Sequence, residues 1–566
     1  MSLRPRVLPA VPERTAAVAR AAFPGGTLAM RIRDELGEVF FDGALLDAFG
    51  VRGRPGISPG QLAMVTVLQF AENITDRPAA DAVRGRIDWK YLLGLELTDP
   101  GFDFTVLSQF RTRLVDHALQ PMVLDMLLER LIEAGLVKAR GRQRSDATHV
   151  LAAVRELNRL EMVGETLRAA LEALAAAAPT WLSAYINPEL ITRYGARIDE
   201  WRLPSDQPKR RALGAQIGAD GWQLLQAIAS ASTPGWLWHI PAVQVLRQVW
   251  VQQYTLDAGG REVIWRDARA HGLPPGRSLL LSPYDTDARH SEKRGRGWTG
   301  YKVHLTETCD NTDTDQDTAR DTVQPPNLIV NVVTTHAAVD DSSMTMPIHT
   351  ALAEQELLPA EHLMDAGYAS AAHLLNCRQM HQVRLVSPVR GDHSHQARAR
   401  NGYHRDAFTI DFDAQQATCP QGKVSTMWNE ARYNGEDVVV VTFPASTCTP
   451  CPVRAQCTTA KQRRRQLTLR PRRLHEALRD ARAEQTTQEW KQRYRHRAGI
   501  EATISQATAL TGIRHARYAG IGKVHLEHVF AAVALNLIRL NAWWTGAPVQ
   551  RTRTTHLAHL GLSLAA

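Results

Sequence analysis

Apolar residues recur at helical spacing from residue 28 to about residue 135. Ser58-Pro59 makes a helix start ahead of Leu62, Val65, Leu68 and Phe70. The same period continues through residues 81–93 and 105–119, with Gly53, Gly56, Gly94 and Gly101 at the connections. A helical N-terminal domain over residues 1–140 is therefore expected, of the size that docks on DNA. A plain helical spacer would give the same pattern, and no recognition helix can be named.

The period then changes. Residues 141–150 (GRQRSDATHV) read as a strand, 151–178 as an Ala/Leu-rich helix, and 179–279 as the rest of a helical insertion. From Gly300, Tyr301 to Leu305 alternates, and residues 327–335 (NLIVNVVTT) form a buried β-branched run. A helix to Leu357 follows, capped by Ser342 and Ser343. Next come a short strand over 361–365 ending in an acid, a helix over 371–380 and a strand over 382–389. Together these predict a mixed α/β fold with a five-stranded sheet, its parts at 141–150 and 280–390. Residues 391–485 break the pattern as a small Cys-rich β insertion followed by a basic linker. Residues 486–509 and 525–544 return to long helices within a C-terminal segment 486–545, the second apolar enough to lie on the sheet. A loose tail is expected over 546–566.

At 566 residues with 44% hydrophobic and 22% charged positions, the chain can bury several cores, which excludes wholesale disorder. The apolar stretches 173–186 and 529–540 fall short of a membrane span, and the N-terminus lacks the apolar run of a secretory signal. A cytoplasmic protein without membrane partners is expected. The net charge of +9 is concentrated: residues 461–517 hold 15 Lys and Arg against five acids, and most of those cations are Arg. An Arg-rich patch suits phosphate oxygens, although a solvated helix surface has the same composition.

Three acids stand in informative settings: Asp146 in SDATHV, Asp365 in MDAGYAS and Glu501 in YRHRAGIE. With the run WTGYKVHLTETCD and the C-terminal TGIRHARYAGIGKVHLEHVFAAVALNLIRL, they span most of the chain. These segments resemble bacterial insertion-sequence transposases of the DDE class, specifically the group numbered eleven-eighty-two. The resemblance implies an InsH-type N-terminal DNA-binding domain, an RNase H-like catalytic core and a triad at Asp146, Asp365 and Glu501. Tyr494-x2-Arg497-x3-Glu501 resembles the family's tyrosine, arginine, glutamate, lysine signature and would share one helix face. The family's lysine, seven residues after the glutamate, is Thr508 here. Arg514 or Arg517 would have to substitute, and Arg495 and Lys302 complete the expected DNA contacts. Asp285, Asp287, Asp340 and Asp341 compete as ligands but suit turn and cap roles better.

What the resemblance implies chemically is two Mg²⁺ or Mn²⁺ ions roughly 3.5–4 Å apart, bridged by Asp146 and flanked by Asp365 and Glu501. They would serve cleavage of double-stranded DNA at transposon terminal inverted repeats and transfer of the freed 3′-hydroxyl to target DNA. A homodimer or larger assembly is implied, because two ends must meet. The alternatives are a related metal-dependent nuclease that cuts without joining, and a catalytically inactive transposase-derived DNA-binding protein.

Cys419-x28-Cys448-x2-Cys451-x5-Cys457 places four thiols in 39 residues. One tetrahedral structural Zn²⁺ fits the short Cys-x2-Cys pair, with free cysteines in a small insertion as the alternative. Cys309 and Cys377 read as small core residues.

Overall fold

The computed structural model describes residues 2–53, 55–155, 157–197, 203–293, 295–310, 325–392, 394–400 and 402–546. All but the first residue of the expected tail thus lies outside the described residues. The described residues open with α-helices α1 (Glu13–Ala22), α2 (Leu28–Leu36), α3 (Pro59–Ala71), α4 (Asp76–Gly85), α5 (Ile87–Leu93), α6 (Thr105–Asp116) and α7 (Gln120–Glu133), with a 3₁₀ helix at Asp42–Ala48 between α2 and α3. Ser58 caps α3 as its sequence suggests, its Oγ accepting the Gln61 N–H, with Pro59 in the first turn. Residues 62–70 of α3 are all buried, so this helix lies inside the protein rather than on it.

Strand β1 (Arg142–Leu151) leads into α8 (Arg159–Ala177), α9 (Pro179–Tyr185), α10 (Pro188–Tyr194), α11 (Gln207–Ala229) and α12 (Pro241–Gln253), then into a short hairpin, β2 (Tyr254–Leu256) and β3 (Val263–Trp265). This insertion has a hydrophobic core of its own, including Leu167, Leu224, Leu246 and Trp250, and α8 begins with a capping box between Asn158 and Glu161. The hairpin adds strand to an insertion expected to be helical.

The central sheet continues with β4 (Arg289–Lys293), β5 (Arg296–Thr308), β6 (Ile329–His336), α13 (Thr345–Glu354), β7 (Glu361–Leu363), α14 (Ala371–His381) and β8 (Arg384–Val386). Its order is β6–β5–β1–β7–β8, antiparallel as far as β1 and parallel from β1 through β7 to β8, with β4 sharing an edge of β5 with β6. This is a mixed α/β fold consistent with an RNase H-like core. The sheet has six strands among the described residues rather than five. β4 (RHSEK) carries no apolar alternation that would announce it, and pairing with the protruding end of β5 makes it a strand. β7 ends at Leu363, so Asp365 stands two residues beyond it. Neither Ser342 nor Ser343 caps α13: a 3₁₀ turn over Asp341–Met344 comes first, and the Ser343 hydroxyl donates to the Asp340 carbonyl.

After β8 come α15 (His395–Ala399), β9 (Thr409–Asp411), β10 (Gln416–Thr418), β11 (Met427–Tyr433), β12 (Glu436–Thr442), α16 (Ala445–Cys448), α17 (Arg454–Cys457) and β13 (Gln466–Leu469). Strands β11–β12–β13 form a separate antiparallel sheet over a small core of Phe408, Val441, Phe443, Leu467 and Leu469. The expected basic linker is largely a helix, α18 (Arg472–Glu484). The single helix expected over 486–509 is broken into α19 (Gln488–Arg495), a 3₁₀ turn at His496–Ala498 and α20 (Gly499–Thr511). The last helix, α21 (Ile521–Trp544), is long and apolar enough to cross a membrane by length and composition, but it runs through the protein core. It packs against α3, α7 and β6, so that one continuous core joins the N-terminal helices to the sheet, with Phe70 stacked on Phe530 at 6.1 Å. Buried Asn536 pins it to β6 by accepting the Ile329 N–H and donating to the Ile329 carbonyl, both at 2.8 Å.

Candidate active site

Asp146 projects from β1, the middle strand of that order, opposite Leu305 of β5. One of its carboxylate oxygens accepts the Ala147 N–H at 2.8 Å and the other accepts the Arg497 guanidinium at 2.5 Å. Asp365 lies in the loop after β7, the parallel neighbour of β1. Its Oδ1 accepts the Gly367 N–H at 2.7 Å, and its carbonyl accepts both the Ser387 hydroxyl and the Tyr368 N–H, which fixes the loop. The two aspartates lie within each other's field. Burial first, and the Asp365 charge in addition, push the Asp146 carboxyl up to about 6 despite the opposing pull of Arg497, the Ala147 N–H and Lys293.

Glu501 sits in the first turn of α20 at the rim, its side chain 65% exposed, and accepts the Arg497 guanidinium at 2.9 Å. Arg497 thus bridges Asp146 and Glu501 from the 3₁₀ turn, and its charge is further favoured by Asp365. Tyr494 is half-buried, stacks on Trp490 at 4.8 Å, and has its hydroxyl pushed up to about 12, chiefly by burial. Two of the three acids therefore bind one guanidinium, and the third lies within its field. Among the described residues no group of three or more His, Cys, Asp or Glu side chains is disposed to hold a metal ion.

Behind this cluster lies a buried charge network that the sequence did not announce. The Arg144 guanidinium donates to Glu307 at 2.7 Å and to the His496 carbonyl at 2.7 Å. Glu307, fully buried on β5, also accepts Thr503 of α20 at 2.6 Å and Arg539 of α21 at 2.8 Å. The bond to the His496 carbonyl falls at the helix break, so a side chain two residues before Asp146 ties down the turn that carries Arg497. Gly499 leaves room for it: a Cβ there would lie 2.0 Å from an Arg144 terminal nitrogen.

The other expected DNA contacts are dispersed. Arg495 is exposed. Arg514 reaches β1, donating to the Thr148 hydroxyl at 2.9 Å. Arg517 lies over the Phe70 ring and donates to the Ile74 carbonyl and the Asn73 side chain, joining the C-terminal segment to the N-terminal helices. Lys302 is 15% exposed and is spent on Asp341 and the Val339 carbonyl. Thr508 bonds back to the Ile504 carbonyl within α20. Lys293, on polar β4, is a cation in the field of Asp146 that the sequence pattern did not single out. Among the competing acids, buried Asp285 accepts the Tyr301 hydroxyl and Asp287 accepts the Ile521 N–H at the start of α21, which are turn and cap roles.

Cys419, Cys448, Cys451 and Cys457 line one small cavity beside Phe408, Phe443 and Arg465. All four are free thiols, and burial together with the neighbouring cysteines raises the Cys457 thiol. Cys309 and Cys377 are fully buried, as expected of core residues.

Two family models match the chain. Residues 418–541 match one described as a transposase DDE domain, and residues 18–113 match one described as a transposase domain, DUF772. The first includes the four cysteines, Tyr494, Arg497 and Glu501, whereas Asp146 and Asp365 lie outside both. No curated protein matches the chain.

Proposed function

The chain is an insertion-sequence DDE transposase, and from that premise we propose that Asp146, Asp365 and Glu501 form its catalytic triad for cleaving element ends and joining them to target DNA. The observation that carries this reading is the juxtaposition of Asp146 on the central strand with Asp365 beyond its parallel neighbour, with Arg497 joining Asp146 to Glu501. A carboxylate whose proton affinity is raised by burial and by a neighbouring carboxylate belongs to a donor set that a hard divalent cation relieves. Asp146 and Asp365 would hold Mg²⁺ or Mn²⁺, and Glu501 would complete the set from α20. Bound there, such ions supply a Lewis acid for the attacking and departing oxygens of the phosphodiester.

The protein's own part is positioning. The bonds from Gly367, Tyr368 and Ser387 hold the Asp365 loop, and the Arg144 bond to the His496 carbonyl holds the turn ahead of Glu501. Arg497 is suited by its planar fork to a phosphate next to the scissile bond, and exposed Arg495 to the backbone alongside it. Arg514, bonded to β1 two residues beyond Asp146, extends the cationic surface along the strand. Double-stranded DNA is the proposed partner, bound by a homodimer or larger assembly. The four cysteines around one cavity are proposed to take a single structural zinc ion.

The test is substitution of the triad. Asp146→Asn and Glu501→Gln are each expected to retain DNA binding and to lose cleavage, and unchanged cleavage in either variant overturns the assignment. Joined products in a plasmid assay separate a transposase from a nuclease that only cuts.

A further inference from the structure

Both oxygens of the Asp146 carboxylate are engaged, one by the Ala147 N–H and the other by Arg497, whose second terminal nitrogen holds Glu501. A guanidinium and a divalent cation in the same few ångströms repel each other, so Arg497 and a metal ion are competitors for Asp146. The backbone beneath Arg497 is not free to move away. Arg144 holds the His496 carbonyl, and Thr503, one turn further into α20, is bonded to buried Glu307. Release of Asp146 therefore requires the Arg497 side chain to turn on a fixed backbone. Little else retains it, because its Nε has no hydrogen-bond partner among the described residues. The group best able to draw it off is a phosphate, which accepts the guanidinium fork in place of the carboxylates.

From this arrangement, and resting on the triad reading above, we infer that Arg497 is a stand-in cation that keeps the divalent ion off Asp146 until a DNA phosphate withdraws it. Metal loading and DNA binding are then coupled, and the coupling is reciprocal. A duplex strengthens metal binding by the same factor by which metal strengthens duplex binding. The chain without DNA is held in a poorly metallated state by its own side chain.

The experiment is Mn²⁺ titration calorimetry on the full chain, with and without a short DNA duplex at low salt, using Asp146→Asn with duplex to subtract ions bound by the DNA itself. In the wild type the duplex is expected to tighten Mn²⁺ binding about tenfold or more. Arg497→Gln should raise DNA-free Mn²⁺ affinity by a similar factor of about ten and shrink the coupling to within about twofold. Arg497→Lys keeps a cation beside Asp146 and should stay close to the wild-type DNA-free affinity. Should Arg497→Gln fail to fold, the wild-type titrations decide alone: equal Mn²⁺ affinity with and without duplex overturns the inference. Coupling undiminished in a folded Arg497→Gln also overturns it, and leaves the metal site standing. Mn²⁺ binding that Asp146→Asn leaves unchanged removes the triad reading as well.

Discussion

Arg144 and Glu307 face each other across the β1–β5 pair in a buried ion pair of 2.7 Å, and Arg539 approaches the other Glu307 oxygen at 2.8 Å. One carboxylate thus balances two guanidinium groups where water is excluded. Glu307→Gln keeps the shape and removes the charge, leaving both cations buried without their counter-ion. The expected loss of stability is about 3–5 kcal/mol, measurable by urea unfolding followed through tryptophan fluorescence. A loss below about 1 kcal/mol, the scale of an exposed pair, would mean that the network does not hold these elements together.

Gly499 tests the link from that network to the turn that carries Arg497. A methyl group placed 2.0 Å from an Arg144 nitrogen and 2.3 Å from its Cζ forces the guanidinium or the turn to shift. Gly499→Ala is expected to cost ~1–3 kcal/mol of stability. Cleavage should fall by more, about a hundredfold if Glu501 and Arg497 move by an ångström, at a temperature where the variant remains folded. A variant destabilised as expected but cleaving at the wild-type rate would show that this turn does not set the catalytic geometry.

The cysteine cavity makes a prediction independent of the triad. Elemental analysis of the purified protein should give zinc equimolar with the chain, and Cys448→Ser should lose it. A chelator should then lower the melting temperature of the wild type and leave the Cys448→Ser variant unaffected, because metal bound only by the folded state adds to its stability. Metal-free protein of undiminished stability would leave the thiols as small packing groups.

Glu527, buried on α21, carries a pH prediction. Burial pushes its carboxyl up to about 7, against the pull of the Arg517 N–H and the Arg517 and Arg111 charges. The folded protein therefore keeps this proton up to about pH 7, whereas the unfolded chain releases it near 4.5. Its contribution to stability is present at low pH and is lost as pH rises between those values. Glu527→Gln imitates the protonated form, so its melting temperature relative to wild type should climb from about pH 4.5 to pH 7 and level off above. The gain at pH 8 should be about 3 kcal/mol. A difference that does not vary with pH would mean that Glu527 is ionised in the fold throughout.

Much of this layout was legible in the chain because it rests on local periods. The β-branched run at 327–335 and the alternation at Tyr301 to Leu305 became β6 and part of β5, and the apolar stretch ending at Trp544 became α21. The positions of Asp146 on a strand and of Asp365 close after one followed from the same patterns, although the strand stops two residues short of Asp365. What stayed hidden depends on contacts between distant segments. Arg144 and Glu307 look like surface charges until β1 and β5 pair and bury them together. The break at 496–498 cannot be read from YRHRAGIE, because an Arg144 side chain some 350 positions earlier takes the His496 carbonyl. β4 is polar throughout and exists only because β5 extends past β6 to meet it.

The placement of α21 constrains how the molecule can be taken apart. Its apolar surface is divided between helices from the first quarter of the chain and an edge strand of the central sheet, so deleting residues before β1 would lay bare a broad greasy flank. Neither portion is equipped to survive alone as a soluble fragment. Any movement of the front helices must carry Asp146, Asp365 and the sheet with it.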